Sequence, residues 1–252
     1  MAALFSLAGQ TALVTGASRG LGQAIAVALA QAGAKVLCAS STIAGSRDTV
    51  AMITEQGGEA IGLAADLSNE AAVEQLAQQA LAQGSVDILV NCGGTIFRAP
   101  AHQFPMNEWH KVIAVNLDAA FLLSQRLGAE MIKRKQGKII NIASMLSYSG
   151  GITVPAYTAS KHAIAGVTKA LANEWAQHNI QVNAIAPGYF RTDNTAALQA
   201  DTERNAAITA RIPAARWGEP EDLAGAAVFL ASNASNYVNG HVLAVDGGWL
   251  AR

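Results

Sequence analysis

The chain has 252 residues, 51% of them hydrophobic and only 14% charged, with a formal net charge of -1. A chain of that length buries a large core, and α/β folds of this size often form one domain; the near-neutral balance offers no basic field for nucleic acid or an anionic membrane. Cys38 and Cys92 lie in or beside apolar strand-like runs and read as reduced core thiols, and no His/Cys cluster has zinc-ligand spacing, so no metal is expected.

The segment Met1–Leu7 has no basic region and too short an apolar stretch for a secretory signal. No uninterrupted apolar run approaches the roughly 20 residues needed to span a bilayer. A cytoplasmic protein with no membrane partner is the expectation.

Apolar, β-branched runs alternate with helical patterns along the chain. Thr11–Thr15 reads as a strand and Leu21–Ala32 as an Ala-rich helix; Lys35–Ala39 is a second strand, followed by a helical pattern near Asp48–Gln56. Ala60–Ala64 is a third strand and Glu70–Ala82 a third helix. Ile88–Val90 leads into long helical patterns near Trp109–Lys133. Lys138–Ile142 and Gln181–Ile185 flank a helix from about Tyr157 to Gln177, and Val242–Val245 closes the series. Strands that are apolar throughout, rather than alternating, fit a sheet covered on both faces. The β-α-β order predicts an α/β fold: one doubly wound parallel sheet with helices on both faces. The whole chain, 1–252, reads as a single dinucleotide-binding domain. Its most irregular stretch, Pro187–Trp217, reads as a mobile substrate lid near 188–217.

Strand one runs into Thr15-Gly16-Ala17-Ser18-Arg19-Gly20-Leu21-Gly22, and a helix follows. Glycines there allow a tight turn and close backbone approach to a pyrophosphate, and the helix start supplies free N–H donors. Asn91-Cys92-Gly93-Gly94 falls at the same sheet edge, after strand four. NAD binders usually place a carboxylate about 20 residues past the loop to accept from the ribose 2′-hydroxyl. Here Ser40, Ser41 and Thr42 stand at that place, and Arg19 in the loop is suited to a 2′-phosphate. NADP(H) is therefore favoured, with NAD(H) the alternative.

Tyr157 and Lys161 sit four residues apart at the start of a helix, on one face. A tyrosine with an ordinary pKa of about 10 is a poor acid–base catalyst at pH 7, and a nearby ammonium should lower that value. Ser144, just past strand Lys138–Ile142, could hydrogen-bond a substrate oxygen.

Gly16-x-x-x-Gly20-x-Gly22, Asn91-x-Gly93-Gly94, Asn116, Ser144, Tyr157-x-x-x-Lys161 and Pro187-Gly188 resemble, in order and spacing, the short-chain dehydrogenase/reductase family over essentially the whole chain. The resemblance implies Tyr157 as general acid/base, Ser144 as substrate-orienting donor, Lys161 as ribose ligand and tuner of Tyr157, and Asn116 as holder of a relay water. The coenzyme is expected on Gly16, Ser18, Arg19, Gly20, Leu21, Gly22, Ser40, Ser41, Asp66, Leu67, Asn91, Gly93, Tyr157, Lys161, Pro187, Gly188 and Thr192, the resemblance implying Asp66 at the adenine and Gly188 and Thr192 beside the nicotinamide. The resemblance also implies a Rossmann-like sheet of seven strands and, as is usual in the family, a homotetramer. One position departs: the family usually has Asn-Asn-Ala-Gly where this chain has Asn91-Cys92-Gly93-Gly94.

The stretches Asn141–Ser147, Ala172–Ala176, Ala186–Tyr189 and Val245–Arg252 are similar to the 2-dehydro-3-deoxy-D-gluconate 5-dehydrogenases (also called 2-deoxy-D-gluconate 3-dehydrogenases) and to reductases of a deoxy-hexoseulose uronate. That similarity implies a small sugar-acid substrate. Its carboxylate wants a guanidinium, for which Arg98, Arg191 and Arg252 are candidates, and Met145 should line the pocket. Gluconate 5-dehydrogenase and 3-oxoacyl carrier protein reductase are the neighbouring alternatives, and a non-catalytic nucleotide-binding protein is the alternative of another kind.

Overall fold

The computed structural model describes residues 2–252. After a short helical turn, Ala2–Phe5, the chain follows β1 (Thr11–Thr15), α1 (Gly20–Gln31), β2 (Lys35–Ser40), α2 (Arg47–Glu55), β3 (Ala60–Ala64), α3 (Glu70–Ala82), β4 (Ile88–Asn91), α4 (Met106–Arg134), β5 (Gly137–Ile142), α5 (Pro155–Trp175), β6 (Ile180–Pro187), α6 (Ala196–Ala200), α7 (Thr202–Arg211), α8 (Ala224–Ala231) and β7 (Val242–Val245). Every strand pairing is parallel, in the order β3-β2-β1-β4-β5-β6-β7.

Alternate residues of each strand feed two different cores, as the two-residue period of a strand requires. Ala12, Val14, Val36, Cys38, Ile88 and Val90 pack with Ile25 and Leu29 of α1 and Leu230 of α8. Leu13, Leu37, Leu89 and Ile139 pack on the other face with Leu76 of α3 and Leu123, Leu127 and Met131 of α4. This double burial is why the strands read as continuous apolar runs.

The chain leaves β1 for β2 on one side and returns after β3 to lay β4 on the other. That reversal opens a crevice at the carboxyl ends of β1 and β4, where open α/β sheets bind ligands.

α4 meets the length and hydropathy of a membrane span. In this fold its apolar side serves the core, since Leu123, Leu127 and Met131 are all buried against the sheet. It is also not one regular helix: Ala114–Asp118 forms a π turn between two α-helical stretches, with Asn116 inside it. The segment 188–217 differs from the irregular reading. It holds α6 and α7 and is stitched together by Trp217, which is almost fully buried, against Ile208, Ile212, Met145 and Trp249.

Candidate active site

The turn after β1 shows why glycines stand in it. Gly16 has φ +67°, and a Cβ there would lie 2.9 Å from the Cα of Gly93. A Cβ on Gly22 would collide with the Gly16 carbonyl oxygen. Arg19 precedes α1 in extended backbone and makes no capping bond, so the first N–H groups of the helix stay free for an anion. Thr15, which sequence reasoning passed over, ties this turn to the one after β4. Its Oγ1 accepts from Cys92 N at 3.1 Å and Gly93 N at 3.0 Å and donates to Val90 O at 3.4 Å. Its only signal in sequence is a hydroxyl at the last position of an otherwise apolar strand.

Between these turns lies a cleft of about 240 Å³. It brings together Gly16 and Ser18 from the first turn, Ser40 and Ser41 from the end of β2, Asp66 and Leu67 after β3, and Gly93 and Gly94 after β4. The Asp66 carboxylate accepts from Ser68 N at 2.9 Å and Ser68 Oγ at 2.7 Å, and these bonds hold it below its ordinary pKa. Ser40 is turned inward, and its Oγ donates to Thr42 O at 2.6 Å. Arg19 is not among the lining residues; its Nε pairs with Asp193 at 2.8 Å. Among the described residues no cluster of three His, Cys, Asp or Glu side chains is placed to hold a metal ion.

β5, α5 and the π turn assemble the second half of the site. The Ser144 hydroxyl accepts from Leu146 N at 3.1 Å and stands close enough to the Tyr157 phenol to draw its pKa down. Ser147 donates from its Oγ to the Lys161 carbonyl and so ties the Ser144 turn to α5. Burial pushes the Tyr157 phenol above its ordinary value; Ser144 and the Arg98 guanidinium pull the other way. Lys161 is buried, and its Nζ donates to Ile142 O at 2.6 Å while lying 5.5 Å from the Tyr157 ring centroid. Burial draws its pKa down to about 8. Lys161 therefore sits beside Tyr157, as the four-residue spacing predicts, but the cations and donors that lower the phenol here do not include it.

Asn116 is held on both edges of its amide. Oδ1 accepts from Thr95 N at 2.8 Å, while Nδ2 donates to Thr95 O at 3.0 Å and to Ser160 Oγ at 3.1 Å. Ser160 in turn donates to the Tyr157 carbonyl at 2.8 Å. A second buried relay fixes the sheet behind the site: Asn91 Nδ2 donates to Asn141 Oδ1 at 2.9 Å, and Asn141 Nδ2 donates to Thr168 Oγ1 at 3.0 Å. Asn141, Thr168 and Ser160 were not anticipated, because polar residues inside apolar elements give no local sign of facing one another.

The guanidinium candidates separate. Arg98 donates to Asn194 O at 3.3 Å and lies close enough to Tyr157 to lower its pKa. Arg191 pairs with Glu219 at 3.0 Å, and Arg252 donates to Ala210 O at 3.3 Å. Met145 is buried against Ile208, Ile212, Trp217 and Trp249 rather than lining an open pocket. Gly188 N donates to Val245 O at 2.9 Å, and a Cβ at Gly188 would lie 2.6 Å from the Asp246 Cα, so β6 and the turn after β7 meet at backbone contact.

A profile described as enoyl-(acyl carrier protein) reductase matches residues 16–250. A curated relative from Bacillus subtilis, named 2-dehydro-3-deoxy-D-gluconate 5-dehydrogenase, is 54% identical over 248 residues, covering 98% of this chain and 97% of its own. The chain belongs to the short-chain dehydrogenase/reductase family. This short-chain dehydrogenase/reductase superposes on a Beutenbergia cavernae protein described as an NAD(P)-dependent gluconate 5-dehydrogenase with bound NADP, with a TM-score of 0.97 and 53% identity over 99% of this chain and all of that one. An Agrobacterium tumefaciens protein, described as a 2-deoxy-D-gluconate 3-dehydrogenase with bound NADP, gives a TM-score of 0.94 and 53% identity over 99% of each chain. The seven-stranded fold and the oxidoreductase class read from the sequence both stand.

Proposed function

We propose that this enzyme interconverts a ketone and a secondary alcohol on a keto-deoxy sugar acid, such as 2-dehydro-3-deoxy-D-gluconate or 4-deoxy-L-erythro-5-hexoseulose uronate, with NADP(H) favoured over NAD(H). The observation that carries the reading is the meeting of the Ser144 and Tyr157 hydroxyls, with the Arg98 cation near enough to act on Tyr157. The relatives' names and their bound NADP support the substrate class and the coenzyme.

The crevice fits a dinucleotide. Gly16 and Gly22 allow a turn so tight that a Cβ on either would strike backbone, the uncapped start of α1 offers N–H groups to a diphosphate, and Asp66 stands at the far end for an adenine. Gly20, Leu21, Asn91, Pro187, Gly188 and Thr192 complete the cradle. When bound, the nicotinamide would give or take the hydride; the protein orients it.

The residues of the chain handle the proton. In the reducing direction Ser144 donates a hydrogen bond to the substrate carbonyl oxygen, and Tyr157 passes its phenolic proton to that oxygen as charge develops. A phenol held neutral by burial is the right resting form for a proton donor. Lys161 holds a cation beside the phenolate that results. Both N–H bonds of the Asn116 amide are taken by Thr95 and Ser160, so a relay water at Asn116 would be held by main-chain carbonyl groups of the π turn. Arg98 would take the substrate carboxylate.

The reading extends to a cytoplasmic homotetramer. Phe121, exposed on α4 beside a cleft of about 430 Å³, supports an interface there.

The test is coenzyme absorbance at 340 nm with both coenzymes against keto-deoxy sugar acids, gluconate and a 3-oxoacyl thioester. Turnover confined to the sugar acids is expected; turnover with the thioester alone would reject the substrate class.

A further inference from the structure

Arg19 and Asp193 join two parts of the molecule that border the coenzyme crevice. Arg19 is the last residue before α1; Asp193 begins the first helical turn of the lid, directly after Thr192. Nε of Arg19 meets Oδ2 of Asp193 at 2.8 Å, with the side chains 75% and 71% exposed. Contact between the two segments is not limited to this pair. The Thr192 methyl lies 3.5 Å from where a Cβ on Gly20 would stand, so the lid's first turn rests on the phosphate turn. Across the cleft, Ser40 and Ser41 supply hydroxyls and Ala39 a methyl, but no cation lines that wall. One guanidinium thus serves the crevice mouth, and in this arrangement it faces the lid and not that wall.

We propose that Asp193 determines coenzyme specificity by acting through Arg19. It competes with the 2′-phosphate of NADP(H) for the guanidinium. Binding NADP(H) exchanges the carboxylate pair for a phosphate pair and releases the start of the lid; binding NAD(H), which brings a 2′-hydroxyl, leaves the Arg19–Asp193 pair closed. The proposal rests on the reading of Arg19 as the 2′-phosphate residue. A ligand that must first displace a competing contact binds more weakly by the population of the free form. For an exposed ion pair that factor is about twofold to fivefold.

The test is direct titration of NADPH and NADH, followed by protein fluorescence without substrate, for wild type, Asp193→Asn, Arg19→Met and the double variant. Asp193→Asn should tighten NADPH about twofold to fivefold more than it tightens NADH, and that differential should vanish in the Arg19→Met background. Equal tightening of both coenzymes would mean that Asp193 acts only as a charge near the diphosphate, and the proposal falls; so would a differential that survives without Arg19. Arg19→Met alone separates the two layers. If it leaves NADPH binding unchanged, the underlying reading of Arg19 fails. If it weakens NADPH while Asp193→Asn has no differential effect, only the role of Asp193 fails. Hydrogen exchange of the segment 190–201 gives an independent readout. Faster exchange with NADPH than with NADH is expected, and identical exchange would remove the lid release.

Discussion

Lys161 gives its ammonium to a carbonyl and not to the phenol one helical turn earlier: Nζ donates to Ile142 O at 2.6 Å and stands 5.5 Å from the centroid of the Tyr157 ring. Two residues on one face of a helix are neighbours, yet what each side chain bonds is decided by the strand they both face. Here the end of β5 presents Ile142 O to the lysine and Ser144 to the tyrosine. The tyrosine is consequently a neutral hydroxyl at rest, raised by burial and moderated by Ser144 and Arg98.

Tyr157→Phe removes one oxygen and leaves the ring in place. Turnover should fall by about 10² to 10⁴, the usual worth of a positioned acid, while the dissociation constant for NADPH changes little. Steady-state rates with a coenzyme titration on the same sample check this. A variant that keeps wild-type turnover would remove Tyr157 from the chemistry.

Arg98→Met makes two separable demands. The carboxylate contact should be lost, raising KM for the sugar acid by roughly 10- to 100-fold, since a hydrogen bond to a charged group contributes on the order of 1.5–3 kcal/mol. The guanidinium also lowers the Tyr157 pKa. Its removal should move the ascending limb of the alcohol-oxidation profile, along which the active phenolate forms, to higher pH. Arg98→Lys should restore the pH profile more fully than KM, because an ammonium keeps the charge but not the fork. A pH profile unchanged in Arg98→Met would separate Arg98 from Tyr157.

Burial pushes both thiols up to about 12, with Lys161 pulling Cys92 down only in part. At pH 8 such a thiol is thiolate in roughly one molecule in 10⁴, and the thiolate is the reactive form. Native protein should therefore release almost no colour from an aromatic disulfide reagent over minutes, and two thiols per chain after unfolding in guanidinium. Fast reaction of one thiol in the native state would show that the turn after β4 opens.

Much of this was legible beforehand because the strands are buried on both faces and announce themselves as apolar runs. The seven runs match the seven strands to within one or two residues, Gln181–Ile185 against Ile180–Pro187 being the largest difference. The Gly-rich turn was legible for a steric reason that the Gly22 and Gly16 contacts make concrete. Three features were not. The π turn at Asn116 leaves no mark in an unbroken helical pattern, since it is selected by the bonds to Thr95 and Ser160 across the fold. The order of the segment 188–217 comes from Tyr189, whose ring centroid lies 5.2 Å from that of Trp217 and 4.8 Å from that of Trp249, although the three residues are scattered in sequence. Arg191 and Arg19 looked like free cations because Glu219 and Asp193 come beside them only in three dimensions.

Lys138 supplies a stability test independent of the coenzyme. It lies at the amino end of β5, buried, with Nζ donating to Asn236 Oδ1 at 2.8 Å and Ser235 Oγ at 3.4 Å. Burial lowers its pKa from an ordinary 10.5 to about 8. Between those two values the unfolded chain binds the proton and the folded chain does not, so stability rises with pH across that window. Below about 8 both forms carry the charge, and the cost of burying it is constant. Lys138→Met removes this one titration while Cys38, Cys92 and Tyr157, which push the other way at alkaline pH, remain in both proteins. The unfolding free energy of wild type relative to Lys138→Met should therefore be flat from pH 6 to about 7.5 and climb from about pH 8 to 10. Denaturant unfolding at fixed temperature measures it. A difference that stays level or falls across the alkaline window would mean that the folded protein keeps Lys138 fully charged on its Ser235 and Asn236 partners.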